Sequence, residues 1–132
     1  MNSLPIVRYL IACGDILVDR FPPWNVTLVN VVSAIRSLQY PPFPFQHAEL
    51  CVFAQLANGR GSAELWLQIV RVDDDEVVFK GSKHLVSFRR NPLESVGVRF
   101  RVVSCQFPSP GLYHIEPWCD GQMIAQQPLV VR

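Results

Sequence analysis

The 132-residue sequence contains no run of about 18 consecutive apolar residues, which excludes a helix long enough to span a bilayer. It also lacks a basic start leading into a continuous apolar segment. Met1 to Ser3 carries no positive side chain, and Arg8 interrupts the apolar stretch from Leu4 to Cys13. Leu10-Ile11-Ala12-Cys13 has the small-residue-then-cysteine look of a lipoprotein cleavage site, but without that start it reads as part of a first core strand. No export signal and no membrane contact are expected, and the expected location is cytoplasmic. There is no Walker loop, no G-x-S-x-G elbow and no H-E-x-x-H pair, so no residue is assigned a catalytic role. No C-x-x-C pair or short histidine spacing is present, so neither a metal nor a cofactor is expected. Charged residues are scarce at 17%, and a net charge of +1 gives no bulk attraction for nucleic acid.

Four cysteines are present: Cys13, Cys51, Cys105 and Cys119. In a chain without an export signal they read as free, mostly buried thiols in a reducing compartment. Cys51, Trp66 and Cys105 have a spacing like the cysteine–tryptophan–cysteine frame of antibody domains. The tyrosine expected two residues before the second cysteine is Val103 instead, so two thiols packed as small apolar groups are favoured over a Cys51–Cys105 bridge.

What is present is strand chemistry. Ile6 to Cys13 is near-continuous in aliphatic residues, Gly14-Asp15 interrupts, and Ile16 to Val18 comes next. Residues 26–38 fit helical spacing at Leu28, Val31, Ile35 and Leu38, yet four valines with Ile and Thr favour a strand over a helix. Gln39 to Phe45 reads as an extended proline-aromatic crossover between sheets. Glu49 to Ala57 and Ala63 to Val72 pair across a glycine-rich turn, and Asp73-Asp74-Asp75 turns into a short strand, Glu76 to Lys80. Ser82 to Pro92 shows little pattern. Val96 to Phe107 alternates, with Val98, Phe100 and Val102 opposed to Arg99 and Arg101. Pro110-Gly111 then feeds a hairpin closed by Asp120-Gly121, a pair suited to a type I′ turn because both residues take positive φ. About eight strands, with turn signals between them and no strand–helix alternation, predict one all-β domain over residues 1–132, an antiparallel two-sheet sandwich.

With Cys13-Gly14-Asp15, Thr27-Leu28-Val29-Asn30-Val31, Pro42-Phe43-Pro44 and the ending Gly111-Leu112-Tyr113, Asp120-Gly121, Pro128-Leu129-Val130-Val131 in view, the chain resembles a known family. It is similar to an uncharacterised bacterial family of small immunoglobulin-like β-sandwich proteins, a domain of unknown function. The resemblance implies that fold and a bacterial cytoplasmic setting, and it implies no activity and no catalytic residues.

Three groups could carry function. Lys80, Lys83, Arg89, Arg90, Arg99 and Arg101 stand against one acid, Glu94, between residues 80 and 101. Gathered on one surface they would hold an anionic partner; neutralisation by the Asp73–Glu76 turn or by a partner subunit is the plainer account. Thin aromatic interleaving speaks against single-stranded nucleic acid. Trp66, Trp118 and Met123 fall on nominally outward faces, which predicts an interface or, for the tryptophans with Trp24, a sugar-stacking platform. His114 alternates with Tyr113 and Ile115 and would lie near Glu116, a pair capable of acid–base work if a substrate pocket lay in reach. The other histidines, His47 and His84, belong to different elements. The acidic turn could ligate calcium but reads as turn filler. The leading expectation is a non-enzymatic sandwich acting through protein association, as a homodimer or as a subunit of a larger assembly. A binding domain for an anionic polymer or a carbohydrate is the alternative, and a small hydrolase ranks third.

Overall fold

In the strand Ser62–Arg71, Ala63, Leu65, Leu67 and Ile69 are buried, while Glu64, Trp66 and Gln68 point the other way. That period of two, repeated along the chain, dictates the architecture: each strand has one apolar face to hide, and two sheets hide them against each other. The structure is a computed structural model that describes residues 4–88 and 94–132. In chain order its strands are β1 (Ile6–Val18), β2 (Val26–Val32), β3 (Ala34–Ile35), β4 (Phe45–Ala57), β5 (Ser62–Arg71), β6 (Val77–Lys80), β7 (His84–Ser87), β8 (Val96–Phe107), β9 (Gly111–Cys119), β10 (Gln122–Met123) and β11 (Gln127–Val131). The first sheet has the order β2-β1-β4-β8 and the second β3-β11-β9-β5-β6, with β7 also on β5 and β10 on β9. Every pairing is antiparallel except that of β3 with β11. No helix occurs among the described residues, so none there is long and apolar enough to cross a membrane.

The expected sandwich is therefore present, with eleven strands among the described residues rather than about eight. The extra ones are short. A corner at Ser33 splits residues 26–38 into β2 on one sheet and β3 on the other; the segment is strand, not helix. Gly81 to Lys83 separates β6 from β7 along the same edge of β5. In β1 the expected break at Gly14-Asp15 does not occur, because Cys13 and Asp15 both stay in register with β2, opposite Val31 and Val29.

The core forms between Leu50, Val52, Ala54, Leu56, Val98, Phe100 and Val102 of the first sheet and Leu65, Leu67, Ile69, Tyr113, Ile115 and Leu129 of the second. At the end where β8 crosses to β9, Phe107 meets Tyr113 edge-on at 5.0 Å and stacks on Phe45 at 6.2 Å. The Tyr113 hydroxyl donates to the carbonyl of Ser109 at 2.7 Å, tying the start of β9 to the corner before it. The proline-aromatic crossover closes this end, with Phe43 edge-on to Phe45 at 6.4 Å. At the opposite end Asp120 and Gly121 take φ of 48° and 80°, and Cys119 pairs with Gln122, as the Asp-Gly pair predicts.

Candidate functional site

A strand that ends a sheet leaves one row of backbone donors and acceptors without a ladder partner. On one side of this sandwich the last strand of the first sheet, β8, faces the β6–β7 edge of the second. Among the described residues β8 has a single ladder partner, β4, along its whole length. Burial alternates from Val98 to Val103, with Val98, Phe100 and Val102 inward and Arg99, Arg101 and Val103 outward. Ser104, at φ 55°, shifts that alternation, so Cys105 and Phe107 turn inward again.

Along this edge runs a groove made of two depressions of about 880 and 400 Å³ that share His84, Arg99, Phe100 and Arg101. His84 stands edge-on to Phe100 at 5.6 Å at their junction. The larger depression is bounded by β7 on one side, where Leu85 is 75% exposed, and by Asp15, Glu49 and Cys51 of the first sheet on the other. The smaller is lined by Lys80, Arg99 and Arg101 and by no carboxylate.

The cations singled out in the sequence thus divide. Lys80, Arg99 and Arg101 all line the smaller depression, with the Lys80 ammonium turned to the Trp66 ring. Arg101 gives its Nε and Nη2 to Glu49 Oε1, at 3.0 and 2.8 Å. Among the described residues no carboxylate pairs with Arg99. Lys83 lies 3.6 Å from Glu64 in an exposed pair. Arg89 and Arg90 lie outside the described residues. The acidic turn does not neutralise this set. Arg71 takes it instead, donating Nε to Asp74 Oδ1 at 2.9 Å and Nη2 to Asp74 Oδ2 at 2.6 Å, with Glu76 as a further partner. The guanidinium holds the Asp74 carboxyl below its ordinary value, and the carboxylates raise that of Arg71.

Trp66 and Trp118 are directly opposed on β5 and β9, and their rings stack at 5.2 Å and 11°. Lys80 Nζ, from the strand on the other side of β5, lies 4.8 Å from the Trp66 ring centre. Met123, 45% exposed, is the cross-strand neighbour of Trp118. The three expected interface residues therefore form one row across the outer face of the second sheet. The Trp118 ring and the Lys80 ammonium lie against the Trp66 ring, so Trp66 itself offers no free flat face for sugar stacking. Glu116 accepts from Gln68 Nε2 at 2.8 Å and from Trp118 Nε1 at 3.4 Å, so its carboxylate is engaged beside His114. Neither depression of the groove includes His114.

All four cysteines are free and buried. Cys51 lies opposite Cys13 and lines the groove, whereas Cys105 belongs to the core between the sheets, so the two face opposite ways and no Cys51–Cys105 bridge can close. Burial raises every one of these thiols, Cys105 to about 12.

Residues 27–132 match the model of a family of unknown function, DUF6941. The chain belongs to this family. Within the DUF6941 span lie β2 from its second residue and β3 through β11, including the whole β6–β7 edge and β8, while β1 with Cys13-Gly14-Asp15 precedes it. No curated protein matches the chain. Among solved structures, a β-D-glucoside glucohydrolase from Trichoderma reesei is similar at TM-score 0.49 and 12% identity, over 98% of this chain and 19% of that one. The alkylpurine DNA glycosylase AlkC of Pseudomonas fluorescens, bound to DNA containing an abasic site analog, gives 0.44 and 8%, over 93% and 30%. A β-glucosidase from Listeria innocua in complex with gluconolactone gives 0.43 and 12%, over 93% and 16%. The DUF6941 chain thus spans less than a third of each of these proteins, and none of the three likenesses bears on its function.

Two features of this DUF6941 member were missed by sequence reasoning. The groove depends on which strands end their sheets, and no local pattern announces that. The hydrogen bond from Tyr113 back to Ser109 had a local signal, Ser109-Pro110-Gly111 two residues ahead of a tyrosine that opens a strand.

Proposed function

We propose that this domain is a non-enzymatic β-sandwich module that acts through protein association, with β8 and the groove beside it as the binding site. The observation that carries the reading is the edge of β8 away from β4, which pairs with no strand among the described residues and runs alongside a depression of about 880 Å³. Long exposed edges are templates for further pairing, and proteins that keep one in regular form use it to add a strand from a partner. Arg99 and Arg101 on the outer side of that edge oppose indiscriminate pairing. The same reading takes the fold as immunoglobulin-like, supported by the parallel β3–β11 pair and the Tyr113 hydroxyl bonded across the corner into β9. Four unbridged thiols support a reducing, cytoplasmic setting.

A photo-crosslinking residue placed at Leu85, on the groove rim, tests the reading in cells. Expected is a discrete covalent adduct from Leu85 and none from Met123 on the other sheet's outer face. Adducts from Met123 alone, or none from either position with a strict monomer by light scattering, contradict it.

A second reading, capture of an anionic polymer, is favoured by the smaller depression, which Lys80, Arg99 and Arg101 line and where Arg99 has no carboxylate partner among the described residues.

A further inference from the structure

Resting on the association reading, we propose that the groove receives an extended segment of a different protein, alternating apolar and acidic side chains, as an added strand on β8. Side chains of an added strand alternate between the two faces of the sheet it joins. On the inner side such a strand meets Val86 and His84 of β7, which pair with the inward Ala63 and Leu65, while Leu85, opposite Glu64, stands exposed on the rim of the larger depression. On the outer side it lies beside Arg99 and Arg101. Opposite charges at facing cross-strand positions attract, so acidic side chains complete this face. Arg99 has no carboxylate partner among the described residues, and Arg101 has Glu49 on one flank only. At Gly97 the outer face is covered by Phe53: a side chain at position 97 would come within 3.1 Å of that ring. The segment therefore meets an apolar surface there, and its effective acidic positions are those facing the two arginines.

A second copy of this chain is a poor occupant of the edge. Antiparallel pairing of β8 with itself about Phe100 sets Arg99 of each copy against Arg101 of the other, bringing four guanidiniums onto one face. Centring the pair on Arg99 or on Arg101 instead sets that residue against itself. The registers centred on these three residues, the middle of the regular stretch, each meet one of these repulsions. Along β8 itself both outward charges are positive, so the edge favours a strand of opposite sign, with Asp15 and Glu49 across the larger depression limiting where its acidic groups can sit.

The test uses the full chain and a fluorescently labelled, end-capped eight-residue peptide alternating glutamate and valine, followed by anisotropy. Binding is expected to weaken with added salt, to fall about tenfold on Arg99→Glu, and to disappear for a lysine–valine peptide. A glutamate–valine peptide with alternate backbone nitrogens methylated keeps every charge but cannot pair with a strand edge, and it is expected not to bind. The proposal is overturned if the methylated peptide or inorganic polyphosphate binds as well as the parent peptide, which would make the groove an anion site. It is equally overturned if nothing binds up to about 1 mM peptide. A Leu85 adduct persisting in that last case would leave protein association standing with a different occupant, whereas loss of both would remove the association reading as well.

Discussion

Cys105 lies on the inner side of β8 among apolar neighbours, where burial pushes its thiol from an ordinary value of 9.0 up to about 12. The other three thiols are raised by the same cause, with neighbouring acidic groups adding to it. A group that holds its proton longer in the folded chain than in the unfolded one favours folding below its ordinary value, and that contribution is lost as pH climbs towards the folded value. The urea midpoint is therefore expected to fall as pH rises from about 9 towards 12, and the fall should be shallower in Cys105→Ala. A midpoint independent of pH across that window would contradict the assignment of Cys105 to the core. Asp74 titrates in the opposite sense. Its carboxyl, held down by Arg71, supports the β5–β6 turn above its ordinary value and ceases to as pH falls below it.

At the scale of elements, the passage from β8 to β9 carries the chain from one sheet to the other, and the Tyr113 hydroxyl secures it by donating to Ser109. Tyr113→Phe keeps the ring against Phe107 and removes only that bond, so it is expected to cost about 1 kcal/mol in urea unfolding. A loss of less than a few tenths would mean the corner is held by ring packing alone. Strands whose signals are local were legible in the sequence. The alternation of Leu65, Leu67 and Ile69 against Trp66 and Gln68, that of Val98, Phe100 and Val102 against Arg99 and Arg101, and the Asp120-Gly121 turn all emerge in the fold. Elements decided by distant partners were not. Ala34-Ile35 is a strand because β11 lies beside it, and His84 to Ser87 because β5 does. A run of two or four residues has no period of its own to show this.

At the scale of the molecule, the sequence supplies two layers and a core but not the order of strands within each layer. That order decides what the surface offers. Lys80 and Arg101 are 21 positions apart yet share one depression, because β6 and β8 end their respective sheets on the same side. Trp66 and Trp118 look outward in each strand taken singly, and only the β5–β9 register reveals that they cover one another. The cation excess between residues 80 and 101 was legible as composition, and its partial convergence on a groove was not.

The central claim is that β8 is open on its outer side. Residue-resolved amide hydrogen exchange of the isolated protein across 96–103 tests it most directly. In an antiparallel edge strand, successive amides point alternately to the neighbouring strand and to solvent. Slow exchange is predicted at the amides bonded to β4 and fast exchange at those between them, with the fast set becoming slow when the acidic peptide is bound. Uniformly slow exchange through the whole segment in the isolated protein would contradict the account, because the edge would already be covered.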